Sequence, residues 1–256
     1  MAWIGRDTTQ IQNVSVDIGK VAQPLTPWGM ELKYTVLELE AAARVGRPVD
    51  QQKFAALQLK HQMDVDQMVY IGDTANSAKG LCNRADVTRT ALPNGAGGAS
   101  KWSSKTPDEI LIDVNNMLTA TWAASGYAVM PSRILLSPGV YGYISTQKVS
   151  NAGNVSILKY ILENNLLATS GSGKKLEIYP VKWLAGGGQG GTLGDETTAN
   201  RAVVYTKEKN RVRYPMTLLQ RTPIQYDSIY HKTTYFCKLG QVEVVYSETL
   251  SYWDGI

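Results

Sequence analysis

The stretch Asp50–Met68, DQQKFAALQLKHQMDVDQM, of the 256-residue chain has the pattern of a long surface helix. Asp50 is a preferred helix N-cap residue, and apolar or ring side chains follow it at steps of three and four residues. These side chains are Phe54, Leu57, His61, Val65 and Met68. Because they form one narrow stripe on an otherwise polar helix, we predict a helix over 51–68 that lies on a surface, across a sheet.

The residues before this helix predict a strand that runs directly into a first helix. Residues 31–37 (ELKYTVL) have the period-two pattern of a strand, and residues 38–44 (ELEAAAR) favour a helix that Gly46 and Pro48 end. Residues 11–25 alternate only loosely, with too few apolar side chains to anchor a core strand. We predict a weak strand or extended arm there, either loose or stabilised by something outside this chain.

The residues after the long helix begin with a stretch rich in Gly, Ser, Asn and Thr over 72–104, which predicts turns and short strands. A second helix starts clearly at Thr106, because Pro107 occupies the first helical position and Glu109 completes a capping box. We expect this helix to stop at Gly126. Its predicted buried stripe consists of Ile110, Leu111, Val114, Leu118 and Trp122.

The second half of the chain mixes short strands and helices, so the predicted class is α+β. The order is a strand at 133–136, a helical turn with Tyr141 and Tyr143, a helix near 156–167 and a strand at 176–181. Two strand pairs are predicted after these elements. The first pairs 201–206 with 211–214, and the second pairs 224–236 with 241–246.

Composition excludes several classes of protein. With 43% hydrophobic and 19% charged residues and no run of about 18 apolar residues, the chain is neither disordered nor membrane-spanning. The net charge of +4 is far below that of a dedicated nucleic-acid binder. The 14 Tyr and 6 Trp, against 2 Phe, suit half-wet interfaces, although strands alone also enrich such rings.

Nothing in the first residues or the cysteines indicates export. Residues 1–7 (MAWIGRD) lack the order of a secretory signal, and Cys82 and Cys237 form no disulfide framework. We expect synthesis in a reducing cytosol, with both cysteines as buried thiols.

Two glycine-containing loops invite a nucleotide-site interpretation. Residues 168–175 (ATSGSGKK) resemble a phosphate-binding loop, but the first glycine and the metal-binding hydroxyl are missing. A helix is predicted before this loop and a strand after it, which reverses the order such a loop needs, so a basic flexible turn is favoured. Residues 186–194 (GGGQGGTLG) lack dinucleotide-binding spacing. They predict a mobile surface loop in which nothing packs.

No catalytic, cofactor or metal site is predicted. The only histidines, His61 and His231, have no partners at metal-ligand spacing. The nearby carboxylates Asp64 and Asp66 lie on different sides of the long helix. Residues 201–221 carry six basic residues against one acidic residue, which favours a solvated hairpin tip over a surface that stacks bases.

Taken in order, these elements resemble the major capsid protein fold of tailed bacteriophages, which is shared with encapsulin nanocompartments. The resemblance covers nearly the whole chain. It is carried by the strand at 28–37 entering ELEAAARVG (38–46), the helix at 51–68, IGD (71–73), KGLCN (79–83), TPDEIL (106–111), GQVEV (240–244) and YWDGI (252–256).

The resemblance implies a division into domains. Residues 1–37 would form an N-terminal arm and E-loop, 38–106 the first part of a peripheral domain with 51–68 as its spine helix, 107–222 an axial domain, and 223–256 strands that return to the peripheral sheet. The implied assembly residues of the arm are Val14, Val16, Asp17, Ile18, Lys20, Val21 and Trp28. The implied ring-axis loop contains Gly186, Gly187, Gly188, Gln189, Gly190 and Gly191.

The resemblance also implies a function. The chain would be a structural, non-enzymatic subunit without cofactors, forming pentamers and hexamers of an icosahedral shell around phage DNA. Scaffolding, portal or decoration proteins would be further partners, DNA contact would be weak and non-specific, and no membrane would be involved. The protein would be assembled in the host bacterial cytoplasm and end in the virion.

Two alternatives stay open, and two departures from the family pattern matter. The alternatives are an encapsulin-type cage and, in another class, a small nucleotide-binding domain or enzyme that uses the 168–175 loop. The chain begins almost at the E-loop, which suggests a processed or incomplete N-terminus. Some relatives join subunits by a lysine–asparagine bond, but Lys20 has no recognisable partner, so no crosslink is predicted.

Overall fold

The computed structural model describes residue 23 and residues 25–46, 49–150, 153–171 and 173–256. Within these residues the helices are α1 (Val36–Val45), α2 (Val49–Tyr70), α3 (Pro107–Ala124), α4 (Pro138–Thr146), α5 (Ile157–Asn164) and α6 (Leu166–Thr169). The strands are β1 (Thr26–Thr35), β2 (Thr88–Ala91), β3 (Arg133–Leu136), β4 (Glu177–Pro180), β5 (Arg201–Tyr205), β6 (Val212–Arg213), β7 (Gln220–Arg221), β8 (Gln225–Asp227), β9 (Tyr230–Leu239), β10 (Glu243–Val244) and β11 (Leu250–Asp254). Short 3-10 helices lie at Trp102–Ser104, Lys182–Leu184 and Ser247–Thr249.

The larger sheet has five strands in the order β2-β11-β5-β3-β4. Strand β11 runs parallel to β2 and antiparallel to β5, while β3 is antiparallel to β5 and parallel to β4. Its central strand β5 is buried at every residue. A strand without an exposed residue must be covered on both faces of its sheet, and both faces of this sheet are covered.

Two apolar clusters cover the opposite faces of the five-stranded sheet. Successive strand residues point to opposite faces, so Ile134 enters one cluster and Leu135 the other. The first cluster is closed by α3, through Ile110 and Val114 among others. The second includes Tyr252. We call this sheet, with α3–α6 on it, the central body.

The second sheet is built around the long pairing of β1 with β9. The register runs from Thr26 opposite Leu239 to Thr35 opposite Tyr230, and β7 and β8 pair with the same strand β9. Helix α2 lies across one face of this sheet, as the narrow stripe predicts. We call β1, α2 and β7–β9 the sheet–helix unit.

Local signals place the helix ends correctly. The hydroxyl of Thr106 accepts the backbone N–H of Glu109, whose carboxylate in turn accepts the N–H of Thr106 at 2.8 Å. Gly46 ends α1 at a φ of 69°, a left-handed conformation that suits glycine. The first strand ends earlier than predicted, because the Thr35 side chain caps α1 and residues 36–37 belong to the helix. It also starts earlier, at Thr26, which pairs with Leu239 of β9.

The predicted helix near 156–167 is interrupted. Asn165 separates α5 from α6, since its side-chain oxygen accepts the N–H of Ala168 at 3.0 Å and so caps the short helix. Its side-chain nitrogen donates to the carbonyl of Ile161, also at 3.0 Å.

Both strand pairs predicted from neighbouring segments are wrong. Strand β5 pairs with β11 and β3, while β6 pairs with β10. Strand β9 pairs with β1, β7 and β8. Leu250–Asp254, which the resemblance assigns to the returning strands of the peripheral sheet, lies in the five-stranded sheet. The reason is burial: β5 and β11 are buried throughout, so each belongs inside a sheet with two covered faces.

Among the described helices, none combines the length and hydropathy needed to cross a lipid bilayer.

Candidate assembly surfaces

The predicted apolar stripe fixes α2 on the sheet–helix unit. Leu57 and Met68 are its buried members, and the ring of Phe54 lies 5.4 Å from that of Tyr235 on β9. Val65 packs against the small cluster around Met68. Phe54, Val65 and Met68 therefore face the sheet and Leu57 is buried, while Leu59 and Met63 of the same helix stay exposed.

His61 fills the middle of this stripe and packs against two strands. Its ring meets the Trp28 ring edge-on at 4.8 Å, and its Nε2 lies 3.3 Å from the Sγ of Cys237. Burial raises the pKa of the Cys237 thiol, which keeps it protonated at neutral pH. The arrangement is a packed polar contact within the core, not an activated nucleophile.

Two carboxylates of α2 each hold one indole. Trp28 on β1 donates its Nε1–H to Asp64 at 2.9 Å, and Trp183 donates to Asp66 at 2.8 Å. Trp183 lies in the 3-10 helix that packs on the central body. The two acids point to different sides of the helix, as predicted, and α2 thereby connects the two sheets.

The sheet–helix unit has a much smaller core than the central body. Among the described residues its buried cluster consists of Met68, Cys237 and Leu239, and Leu32 and Leu57 are buried outside that cluster. Several large apolar side chains around β7–β9 stay exposed, and Leu218 retains 85% of its accessible surface. The others are Met216, Ile224, Tyr226, Ile229 and Phe236. This unit is therefore the candidate surface for contacts with further copies.

The glycine loop at 186–194 is closed and hydrogen-bonded, which corrects the prediction that nothing packs there. The Gly188 N–H donates to the carbonyl of Ala199 and the Gly186 N–H to Oδ1 of Asn200, both at 2.7 Å. A Cβ on Gly186 would lie 1.7 Å from the carbonyl oxygen of Thr192. The glycines allow the backbone to fold closely on itself.

The loop is anchored to the C-terminal strand by an ion pair that sequence analysis missed. Asp254 accepts the N–H of Gln189 at 3.0 Å and pairs with Arg201 through Nε at 2.6 Å and Nη2 at 2.8 Å. Arg201 also donates to the carbonyl of Cys82. The available signal was a charged residue at the end of two otherwise apolar strands, which face each other in the register.

The predicted arm residues mostly lie outside the part that the structure describes. These are Val14, Val16, Asp17, Ile18, Lys20 and Val21. Trp28, placed with them from the sequence, is a residue of β1 whose ring packs on α2 within the same chain. The assembly role of the arm and of residues 186–191 stays a prediction.

The loop that resembles a phosphate-binding loop has the wrong neighbours. It connects the end of α6 to the start of β4, so a helix precedes it and a strand follows. In the described part of the chain the element that follows the loop is strand β4, so no helix N-terminus is placed there to hold a phosphate. Lys174 Nζ lies 2.8 Å from Oε1 of Glu208. The basic turn favoured from the sequence fits this geometry better than a nucleotide site.

Within the described ranges, no group of three or more His, Cys, Asp or Glu side chains could hold a metal ion. Burial raises the pKa of the Cys82 thiol to about 12, so this cysteine is a packing residue.

The whole chain, residues 1–256, matches the family model described as major capsid protein. The chain belongs to the major capsid protein family. Its fold is similar to that of a capsid chain of Myoviridae phage XM1, with a TM-score of 0.71 and 14% identity over 91% of this chain and 74% of that chain. No curated protein sequence matches it.

Two further solved structures share this fold. A chain of Mycobacterium phage Ogopogo has a TM-score of 0.54 and 10% identity, over 96% of this chain and 83% of that chain. An encapsulin chain from Synechococcus elongatus PCC 7942 has a TM-score of 0.51 and 12% identity, over 91% and 74%. The predicted α+β capsid fold and the predicted family are confirmed. Membership in the major capsid protein family makes this chain a self-assembling structural protein of the virion.

Proposed function

We propose that this chain is the principal subunit of a tailed-phage shell, with copies arranged as pentamers and hexamers around packaged DNA. The observation that carries the proposal is the match of all 256 residues to the major capsid protein family. Assembly would take place in the host bacterial cytoplasm, with scaffolding, portal or decoration proteins as partners. The subunit itself would act without catalysis.

The uneven burial of the molecule supports this proposal. The central body has a buried apolar cluster on each face of its sheet, while the sheet–helix unit leaves apolar side chains exposed beside a small core. Contacts with identical neighbours would remove such surface from water, at about 25 cal/mol for each Å² of apolar area. Head-to-tail contacts of this kind close into rings when the rotation allows it.

We propose the domain roles on the same basis. The sheet–helix unit corresponds to the peripheral domain and its spine helix, and the central body corresponds to the axial domain. The pairing of Leu250–Asp254 with β5 supports its inclusion in the axial domain. The compact loop at 186–191 would lie near the ring axis, and residues 11–22 would lap over an adjacent subunit.

The decisive experiment expresses the full chain and images the product by negative-stain electron microscopy. We expect closed shells from the natural sequence. The double variant Val16→Asp/Ile18→Asp places two charges on the proposed arm, and we expect it to stay unassembled while it unfolds cooperatively in urea. The matched control Val16→Thr/Ile18→Thr keeps branched side chains without charge and should still form shells.

The outcomes separate the two parts of the proposal. A natural-sequence protein that stays monomeric at all concentrations, with or without a scaffolding protein, would refute shell formation. Shells formed by the double aspartate variant would refute only the role of the arm.

An encapsulin-type cage is the alternative that the fold comparison supports, because an encapsulin chain matches at a TM-score of 0.51. Native particles distinguish the two functions by their contents. A phage shell holds DNA, whereas particles that contain protein cargo and no nucleic acid would favour the cage.

A further inference from the structure

The positive charge of the chain is concentrated on one part of the central body. Loops before β4 and after β5, with the neighbouring strand ends, carry seven cations and three carboxylates. The surplus of four equals the net charge of the entire chain, +4. We call this set the basic loop patch. The cations are Arg133, Lys174, Lys175, Lys207, Lys209, Arg211 and Arg213, and the carboxylates are Glu177, Glu208 and Glu243.

Ion pairs show that the patch is continuous across its two loops. Glu208 of the second loop pairs with Lys174 of the first at 2.8 Å and with Arg211 at 3.9 Å. Glu177 pairs with Arg133 in the adjacent strand, and Glu243 pairs with Arg213. Each carboxylate is thus already engaged by at least one cation.

Three lysines of the patch remain available. Lys175, Lys207 and Lys209 are exposed, and among the described residues none has a carboxylate within 4.0 Å. The sequence predicts a solvated hairpin tip here, but β5 and β6 do not pair. Residues 206–211 form a turn in which the backbone N–H groups of Arg211 and Val212 donate to the carbonyl of Glu208. Its polar sequence, TKEKNR, offers no apolar side chain to a partner.

Exposed aromatic rings border the patch. The Arg133 guanidinium lies 4.6 Å from the ring centre of Tyr179, and the Arg211 guanidinium lies 5.0 Å from that of Tyr246. Tyr179 retains 46% of its accessible surface and Tyr246 retains 53%. Cations beside accessible rings are typical of surfaces that bind single-stranded nucleic acid, so a contact with duplex DNA would depend on the cations alone.

We propose that the basic loop patch contacts the phosphate backbone of packaged double-stranded DNA, with Lys175, Lys207 and Lys209 as the phosphate-binding groups. Lysine is a point charge that binds phosphate without base specificity, as a packaging surface requires. An acidic polypeptide fits less well, because cores of protein interfaces are poor in lysine and rich in apolar anchors, which the 206–211 loop lacks. The inference rests on the proposed shell function and places this patch on the interior face.

Binding by one subunit would be weak and salt-sensitive, and many identical subunits would add their contacts along the same DNA. The test therefore measures unassembled full-length protein, kept below the concentration at which shells form, against a short DNA duplex by fluorescence anisotropy. The salt concentration is varied between about 50 and 200 mM.

The test variant is Lys175→Gln/Lys207→Gln/Lys209→Gln. The matched control, Lys79→Gln/Arg89→Gln/Lys148→Gln, removes three exposed charges outside both the patch and the sheet–helix unit that have no ion pair among the described residues. If each lysine binds one phosphate, the slope of log affinity against log salt concentration should fall by about 2.7 in the test variant. In the control the slope should differ from that of the natural protein by no more than about 0.9, the change expected for one phosphate contact.

Equal slopes in the two variants would overturn the proposal, because binding would then follow total charge alone. A test variant that keeps its DNA affinity but loses binding to polyglutamate would also overturn it, in favour of an acidic protein partner. Shell formation by both variants is checked by electron microscopy. If the two variants have equal salt slopes and still form shells, only this inference is contradicted. If the natural sequence forms no shells, the proposed function is contradicted.

Discussion

The central body and the sheet–helix unit use similar elements but reach different degrees of closure. In the central body a strand with no exposed residue lies in a sheet covered on both faces. In the sheet–helix unit a ten-residue strand pair supports one helix, and three residues form the buried cluster. From this difference we expect the central body to supply most of the stability of the isolated subunit, and we propose that the sheet–helix unit gains burial from neighbouring subunits.

The largest expected effect comes from a buried ion pair of the central body. Lys105 and Asp113 form a 2.6 Å ion pair with side-chain exposures of 1% and 5%, and Trp102 donates to the same carboxylate. Lys105→Met leaves a buried carboxylate without its cation, which should lower the free energy of unfolding by about 3 to 5 kcal/mol. Urea denaturation of the unassembled protein measures the change.

The double variant Lys105→Met/Asp113→Leu is the control for this prediction. Because apolar residues of similar volume often replace a buried ion pair at little cost, we expect part of the lost stability to return. The rest stays lost, because the Trp102 N–H and the Pro93 carbonyl no longer have their partners. A single variant as stable as the natural protein would contradict the view that this region is closed to water.

A second prediction compares one chemical change in the two regions. Leu118 in α3 and Leu57 in α2 have exposures of 0% and 1%, so burial alone predicts equal costs on truncation to alanine. We expect Leu118→Ala to cost more, near the upper end of about 2 to 5 kcal/mol, because its covered surroundings cannot collapse. Leu57→Ala should lie near the lower end. If urea denaturation gave the same loss of unfolding free energy for both variants, the central body and the sheet–helix unit would not differ in how tightly they are packed.

Local patterns in the sequence predict much of this contrast. The one-stripe helix at 51–68, its seat across a sheet and the capped start of α3 follow from periodicity and capping, which act over a few residues. The strand at 133–136 is found with its predicted limits.

Strand pairing and the anchors of the glycine loop could not be predicted in the same way. Arg201 and Asp254 meet 53 residues apart in sequence, and no local pattern records which strands are neighbours. The same limit produced the two wrong strand pairs. The close folding of 186–194 depends on Asn200 and Asp254, both outside the loop itself.

A third, smaller effect concerns the junction of the two regions. Trp183→Phe removes the N–H that Asp66 accepts, and Trp28→Phe removes the one that Asp64 accepts. Each substitution should lower the free energy of unfolding by about 1 kcal/mol, because Asp64 and Asp66 each keep a lysine partner. Hydrogen exchange should show faster opening near β1 for Trp28→Phe and near 182–184 for Trp183→Phe. The same exchange pattern in both variants would mean that α2 does not hold the two sheets separately.

The smallest expected effect is a pH dependence of the sheet–helix unit that acts through Asp64. Burial opposes ionisation of Asp64, but hydrogen bonds from Lys60 and Trp28 outweigh it and hold its pKa below the ordinary value of 3.8. A carboxyl whose pKa is lower in the folded state stabilises the fold above the ordinary value, and this contribution is lost as the pH falls through the folded pKa. Protection of β1 amides should therefore weaken in acid before that of β5. Asp64→Asn removes the titrating group, so its β1 protection should be lower at neutral pH and should change less with acid, and an unchanged acid response would assign the effect to another carboxyl.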